Sequence, residues 1–300
     1  MKSIRSCVLS SLGVAGALLV ASAAHAQDAV PAGTMKQDAA SSGTTDVATS
    51  GTFEAVTLPP ADAAKDAVEA QILGGGALST GNARSLSVTS SATFRIRRTA
   101  NQFSALAAVN YGRAAVNADA ETETTVDNQQ GKIRYDRFIT ENFVAFLAAS
   151  GRRDRFQGLN LRLNIDPGIG YYFIAQEKQQ FWGELGYDFQ FDIRNQDALD
   201  AAEADGTTLD KTKTAHSGRL FAGYNNALNE SVTFKTGLEY LQGLDETKSW
   251  RLNWDAALTS KIGGNFSLAT TFSLRYDHNP LPGIKNTDTQ SAVSLVYSLL

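Results

Sequence analysis

The chain has 300 residues, a formal charge of −4 and one cysteine. This mild acidity gives no electrostatic footing for nucleic acid, and a lone thiol excludes an intramolecular disulfide or a cysteine-based metal site. Beyond the N-terminal stretch no segment approaches the roughly 18 consecutive apolar residues of a spanning helix, so membrane residence is open only to a closed barrel.

Lys2 and Arg5 precede an apolar run from Val8 to Ala23, and Ala24-His25-Ala26 supplies a small-x-small cleavage pattern. Residues 1–26 are therefore expected to be a signal peptide cut before Gln27. Cleavage removes Cys7 and two basic residues, taking the formal charge to about −6. Cys7 lies before the apolar run and not at its end, which argues against a lipoprotein. Residues 27–66 are rich in Ala, Gly, Ser, Thr and Asp, with Pro59-Pro60 near the end. Such a segment buries too little to offset its ordering entropy and reads as a flexible periplasmic leader. A short helix is expected at Asp62 to Lys65.

From residue 67 to 300 the dominant period is two. In Phe181 to Arg194, one face carries Phe181, Leu185, Tyr187, Phe189, Phe191 and Ile193, and the other Trp182, Glu184, Asp188, Gln190 and Asp192. Phe266, Leu268, Phe272, Leu274 and Tyr276 likewise oppose Ser267, Thr271, Ser273, Arg275 and Asp277. Leu86, Val88, Phe94 and Ile96 oppose a row of Ser, Thr and Arg. Strict alternation without a charge on the apolar face is a strand signal. About 12 strands are predicted, at 67–79, 85–97, 102–112, 127–138, 142–154, 159–174, 181–193, 214–225, 231–242, 249–260, 265–277 and 289–299. Strands of soluble proteins average about 5–6 residues, whereas a tilted membrane strand needs about 9–11.

The connections alternate. Those after odd-numbered strands tend to be long and polar (113–126, 194–213, 278–288), although 80–84 is short, and those after even-numbered strands are short (98–101, 140–141, 175–180, 261–264). Short periplasmic turns, longer external loops and an even strand number characterise bacterial outer-membrane barrels. Aromatics flank the short turns (Phe94, Phe103, Phe138, Phe143, Phe173, Phe181) and the long loops (Tyr111, Phe156, Tyr240, Trp250, Tyr276), as two interfacial girdles would. Three features do not fit simply. Residues 142–150 are apolar on both faces, with Phe143 and Leu147 against Val144 and Phe146. Pro167 sits inside a strand and requires a bulge or an interruption. The strand at 127–138 is weakly patterned at its start.

Residues 72–82 (Ile-Leu-Gly-Gly-Gly-Ala-Leu-Ser-Thr-Gly-Asn), 138–158 with Arg152-Arg153-Asp154-Arg155-Phe156, and Gly168-Ile169-Gly170-Tyr171-Tyr172 resemble successive segments of the salt-induced outer-membrane protein family. The likeness covers most of residues 67–300. It implies an outer-membrane barrel and upregulation under salt stress, and it supplies no molecular function. The chain end departs from a common barrel pattern: Leu299 stands where a terminal aromatic is usual, and Leu300 is added. Val293, Leu295, Tyr297 and Leu299 still form a lipid-facing row for the barrel-assembly machinery to read.

No enzyme is expected. His216 and Ser217 are adjacent, so on a strand they point to opposite sides, and Asp277-His278 has no partner acids. No cofactor and no metal are expected either, since Glu121 with Glu123, or Asp200, Glu203 and Asp205, match no Ca²⁺ loop.

The fold class expected is thus all-β: a single antiparallel up-and-down transmembrane β-barrel, porin-like, in the outer membrane of a Gram-negative bacterium, with lipid and small solutes or ions as partners. The candidate lumen-facing charges are Arg95, Arg97, Arg152, Asp154, Arg162, Glu184, Asp188, Asp192, Lys235, Glu239, Arg251, Asp255, Arg275 and Asp277, which share the parity of the polar rows. Barrels of 8 strands are filled by side chains and those of 16–18 leave an aqueous channel. Mixed charges in a barrel of 12 either pair and close the lumen or set the selectivity of a narrow pore. A conducting barrel, a non-conducting barrel and a soluble secreted β protein all remain open at this point.

Overall fold

The computed structural model describes residues 66–79, 84–115, 121–155, 158–176, 178–204, 206, 208–279 and 286–299. The expected signal peptide, the leader up to residue 65, the helix at 62–65, the loop 80–83, Phe156, Asp205 and Leu300 lie outside them. Twelve strands are present: β1 (Asp66–Ser79), β2 (Arg84–Arg98), β3 (Asn101–Ala115), β4 (Glu123–Phe138), β5 (Phe143–Asp154), β6 (Leu159–Ala175), β7 (Gln179–Arg194), β8 (Thr212–Ala227), β9 (Val232–Gly243), β10 (Trp250–Gly263), β11 (Phe266–Asp277) and β12 (Thr287–Ser298). Each pairs antiparallel with its sequence neighbours, and β12 returns to β1 to close a barrel. The weakly patterned strand, β4, begins earlier than its alternation suggested.

One end of the barrel carries the short connections, including the two-residue turns Thr99-Ala100 and Gly264-Asn265, and is called here the turn end. Thr99 and Gly264 both adopt positive φ, 53° and 54°, the conformation that tight hairpin turns require. At Thr99 the cost is offset by bonds to neighbours: its N–H donates to Asp66 Oδ1 (3.2 Å) and its carbonyl accepts from Arg97 Nε (3.2 Å). The opposite, loop end carries the longer connections. The longest holds a helix that the polar composition of 194–213 did not reveal, α1 (Gln196–Ala204). Asn195 Oδ1 caps it by accepting the Ala198 N–H (2.9 Å), while Asn195 Nδ2 donates to the Arg155 carbonyl (2.9 Å). These bonds tie α1 to the β5–β6 loop.

Alternation sorts the side chains into two environments. The outward rows expose Ile165, Leu185, Leu220, Leu258, Leu268 and many other apolar groups. A continuous apolar outer wall with no open sheet edge over most of its circumference is the surface a bilayer covers. The orientation of residues 142–150 is settled: Val144, Phe146 and Ala148 are buried inward and Leu147 faces out. At the loop end, Trp250 stacks outside on His278 (5.0 Å between centroids), with Tyr276 tilted against it (4.9 Å) and Tyr240 beside it (5.9 Å). Phe94, Phe103, Phe173 and Phe181 are exposed at the turn end. Phe138 is a correction to the girdle. It shares the inward parity of Arg134 and Asp136 and is buried, because its ring receives the Arg97 guanidinium 4.0 Å above it.

Pro167 is accommodated by an interruption without a bulge. The β6–β7 pairing runs from Ile165↔Phe189 directly to Gly168↔Gly186 with its register unchanged. The missing proline N–H thus costs one short gap in the ladder.

The register also places residues by height. Across the ladders, Arg97 at the turn end of β2 leads to Gln102, Asp136, Phe146, Gly168, Gly186, Arg219, Leu241, Arg251 and finally Asp277 at the loop end of β11. Strands are therefore strongly tilted, as closure demands. Residues of equal height come from different points along their strands.

Candidate functional site

The candidate site is the lumen. All fourteen charges singled out from the sequence lie on the inward side, in three tiers. Arg152, Asp154, Arg162, Glu184, Asp188, Asp192, Glu239, Arg251, Asp255 and Arg275 are buried, while Arg95, Arg97, Lys235 and Asp277 are half-buried.

At the turn end, Arg95 pairs with Glu69 and reaches Gln102 Oε1 (3.4 Å). Lys235, from β9, lies within electrostatic reach of both Glu69 and Arg95. Beside them an apolar cluster of Phe138, Val144, Tyr172, Trp182 and Phe221 fills the β4–β8 side. Tyr172 stacks on Trp182 with centroids 5.8 Å apart. Glycine makes room for this cluster and for Phe146 nearby: a Cβ at Gly223 would lie 2.0 Å from the Trp182 indole, and one at Gly168 2.4 Å from the Phe146 ring.

The middle tier is a chain of alternating charge. Arg134 Nε donates to Asp136 Oδ1 (2.9 Å), and Arg134 Nη2 stands 3.0 Å from Glu184 Oε1. Glu184 Oε2 accepts from Arg219 Nη1 (2.8 Å), and Arg219 Nε donates to Glu239 Oε1 (2.6 Å). Asn253 Nδ2 closes the chain on Glu239 Oε2 (2.8 Å). Arg134 and Glu184 belong to β4 and β7, which do not pair, so this contact is a chord across the lumen. The Phe146 ring beneath, 4.0 Å from the Arg134 guanidinium, supports it by a cation–π contact. Arg275 pairs with Asp255 at 2.7 Å on the far wall.

Toward the loop end, Arg162 makes a two-pronged pair with Asp192 (2.7 and 2.7 Å). Gln190 Nε2 donates to Asp192 Oδ2 (3.0 Å), and Gln190 Oε1 accepts from Arg251 Nη1 (3.0 Å), a second chord, from β10 to β7. Asp188 accepts from Asn164 Nδ2 (2.8 Å) and lies 3.7 Å from Arg251 Nη2. Arg152 pairs with Asp154 at 2.7 Å, and Asp277 accepts the Asn279 N–H (2.9 Å). Above these pairs a cavity of about 220 Å³ opens among Arg162, Asp192, Ala198, Lys213 and Glu246.

The lumen is lopsided. Inward residues of β2 from 85 to 93 and of β3 from 102 to 112 carry no charge, and Ser85, Ser87, Ser91, Ala108, Thr271 and Ser294 make a wall of small groups. The long charged side chains come chiefly from β4–β10.

Arg134, Asp136, Asp166 and Arg219 were not found from the sequence, although all four are buried. Arg134 and Asp136 sit in the weakly patterned β4, where alternation with Ile133 and Tyr135 was the available signal. Arg219 stands between Gly218 and Leu220, too short an apolar row to fix its side. Asp166 precedes Pro167, which obscured the period. His216 and Ser217 do face opposite sides: Ser217 is buried inward, and His216 contacts the Tyr187 hydroxyl through Nδ1 and stacks near its ring. Among the described residues no three His, Cys, Asp or Glu gather as a metal would need.

The fold and this interior define a closed antiparallel barrel of the outer-membrane type. The chain belongs to the family described as Protein of unknown function, DUF481, whose model matches residues 73–299. No curated protein matches significantly. Among solved structures, the chain is similar to a NanC porin, with 12% identity, a TM-score of 0.47 and coverage of 77% of this chain and 100% of that one. It is also similar to the translocator domain of the autotransporter NalP from Neisseria meningitidis (13%, TM-score 0.38, 77% and 86%). A third is the beta domain of the Bordetella autotransporter Brka (11%, TM-score 0.37, 78% and 99%).

Proposed function

We propose that the protein is a small channel of a Gram-negative outer membrane, passing ions or small polar solutes through a lumen that its own ion pairs constrict. The observation that carries this reading is the chain from Asp136 through Arg134, Glu184 and Arg219 to Glu239. Burying such pairs costs several kcal/mol per ion in desolvation, and well-packed apolar groups of similar volume are often as stable or more so. A barrel that had only to be solid could fill this space with apolar groups at little or no loss. A lumen that hydrates recovers the cost, and its mixed charges then set selectivity.

The reading includes export by a signal peptide at residues 1–26, short turns in the periplasm, and insertion by the barrel-assembly machinery through β12. Mass measurement of protein from an outer-membrane fraction should give a chain starting at Gln27. The salt-stress link rests on the family resemblance alone, and protein abundance in cells moved to high salt tests it.

The channel itself is tested by planar-bilayer conductance of the refolded chain, with selectivity recorded across a salt gradient. Small discrete steps are expected, growing several-fold in Arg134→Ala/Arg219→Ala. Silence from both proteins after verified insertion overturns the proposal. It would favour a second reading, a non-conducting barrel serving envelope integrity or loop display. The apolar cluster around Trp182, which occupies the turn end of the lumen, supports that alternative.

A further inference from the structure

The loop-end cavity is a part of the lumen that the ionic chain does not fill. It holds about 220 Å³, room for roughly seven waters at about 30 Å³ each. Its space follows from small inward residues, Ala215 and Ser217 on β8 and Gly243 at the end of β9. Gly243 also shapes the rim. A Cβ there would lie 2.7 Å from the Glu246 carbonyl and 2.8 Å from that of Ser249, so glycine lets the β9–β10 loop fold back beside the cavity. On the other side α1 packs close, since a Cβ at Gly158 would lie 2.5 Å from that of Ala198.

The charges around this space are sorted by wall. On the β6–β8 side, Arg162, Asp192 and Lys213 stand in one cross-strand row. Asp192 is held by both prongs of Arg162 and by Gln190, which leaves the exposed Lys213 ammonium in surplus. Arg194, next on the inward row of β7, donates Nη1 to the Asp210 carbonyl (2.8 Å) and keeps its charge. On the β9–β10 side stand Asp245 and Glu246. The His216 N–H donates to Asp245 Oδ2 (3.0 Å), and Asn279 Nδ2 donates to Glu246 Oε1 (3.3 Å). Both carboxylates are thus positioned by neutral groups, and their charges are in surplus too. Among the described residues these two acids and the two cations make no ion pair.

We infer that this cavity binds a small zwitterion carrying one ammonium and one carboxylate, as an α-amino acid does. The carboxylate meets Lys213 and Arg194, and the ammonium meets Asp245 and Glu246. Exclusion matters as much as attraction. A simple anion brings its charge against the two acids, and a simple cation against the two bases. A zwitterion satisfies both walls at once. The volume limits it to a molecule with the bulk of roughly seven waters. For its purpose the site rests on the channel reading, since it names the class of solute received at the loop end of the lumen.

The test is calorimetric titration of the refolded full chain in detergent micelles with L-serine, and with ethanolamine and L-lactate, which each lack one of its two charges. Serine should bind at least tenfold more tightly than either, a comparison that needs no substitution. Lys213→Met should weaken serine at least tenfold and leave ethanolamine the better of the other two ligands. Asp245→Asn/Glu246→Gln should weaken serine at least tenfold and favour lactate instead. Heat-modifiable migration shows that each variant is folded. Serine binding no tighter than the two single-charge ligands, or variants that weaken all three ligands alike, overturns the inference. Bilayer conductance is recorded on the same preparations. Conductance without selective serine binding overturns the site and leaves the channel, whereas selective serine binding by a silent barrel upholds the site and overturns the channel.

Discussion

Arg134 on β4 meets Glu184 on β7 over the heads of β5 and β6, at 3.0 Å. The intervening wall permits it because Gly168 and Gly170 contribute no side chain at that height, and the tip of the Phe146 ring occupies the space a Gly168 side chain would take. Glu184 also takes Arg219, so one carboxylate holds two guanidinium groups.

Removing that carboxylate takes the shared partner from two buried guanidinium groups, leaving Arg134 with Asp136 alone and Arg219 with Glu239. Glu184→Gln is expected to destabilise the barrel by roughly 3–5 kcal/mol, the range for breaking a buried pair from one side. The variant Arg134→Met/Asp136→Leu/Glu184→Leu/Arg219→Met/Glu239→Leu should lose much less, since it removes all five charges of the chain together. Urea midpoints of tryptophan fluorescence in lipid vesicles measure both. If the five-fold variant loses as much as the sum of its parts, the five groups do not act as a unit.

Gly223→Ala should displace Trp182, because the added methyl would fall within the indole ring. Overpacking of this kind costs about 1–3 kcal/mol. With Trp250 and Trp254 changed to Phe, the emission of Trp182 should shift to the red as the ring leaves its apolar cluster. An unchanged spectrum would place the ring elsewhere.

The outer wall gives a depth-dependent expectation. Leu185→Arg, on an exposed row between the two ends, should cost roughly 2–4 kcal/mol, whereas Ile262→Arg near the turn end should cost about 0–1 kcal/mol. The fraction of heat-modifiable, folded protein after refolding ranks them. Equal yields would mean that the wall does not face lipid at Leu185.

Asn195→Ala removes both the cap of α1 and its tie to the β5–β6 loop. A lost cap costs about 0.5–2 kcal/mol, here confined to the loop. Limited proteolysis should therefore cut between 196 and 204 sooner, with the barrel's thermal transition unmoved.

The strand count, the strand bounds to within a few residues and the inward parity of fourteen charges were legible from period-two patterning. A membrane barrel writes that pattern plainly, because each strand touches hydrocarbon on one side and the interior on the other. Legibility failed where a local row was too short or too mixed. In β4 the inward Lys132, Arg134 and Asp136 alternate with only two large apolar groups, Ile133 and Tyr135. Phe138 continued the inward row but looked like a girdle aromatic because it adjoins a turn. The pairing of charges was beyond any local signal. Arg134 and Glu184 are 50 residues apart, and only the tilt of the strands brings them level.

The same connectivity has a consequence for how the barrel is made. Eleven of its seams are hairpins between consecutive strands, which close short loops and form early and cheaply. The twelfth joins the two ends of the domain, more than 200 residues apart, through four residue pairs among the described residues. Zipping β12 to β1 is therefore the step with the highest entropic barrier and the smallest return. It should be the last event of assembly, the rate-limiting one, and the first contact to part when the barrel unfolds.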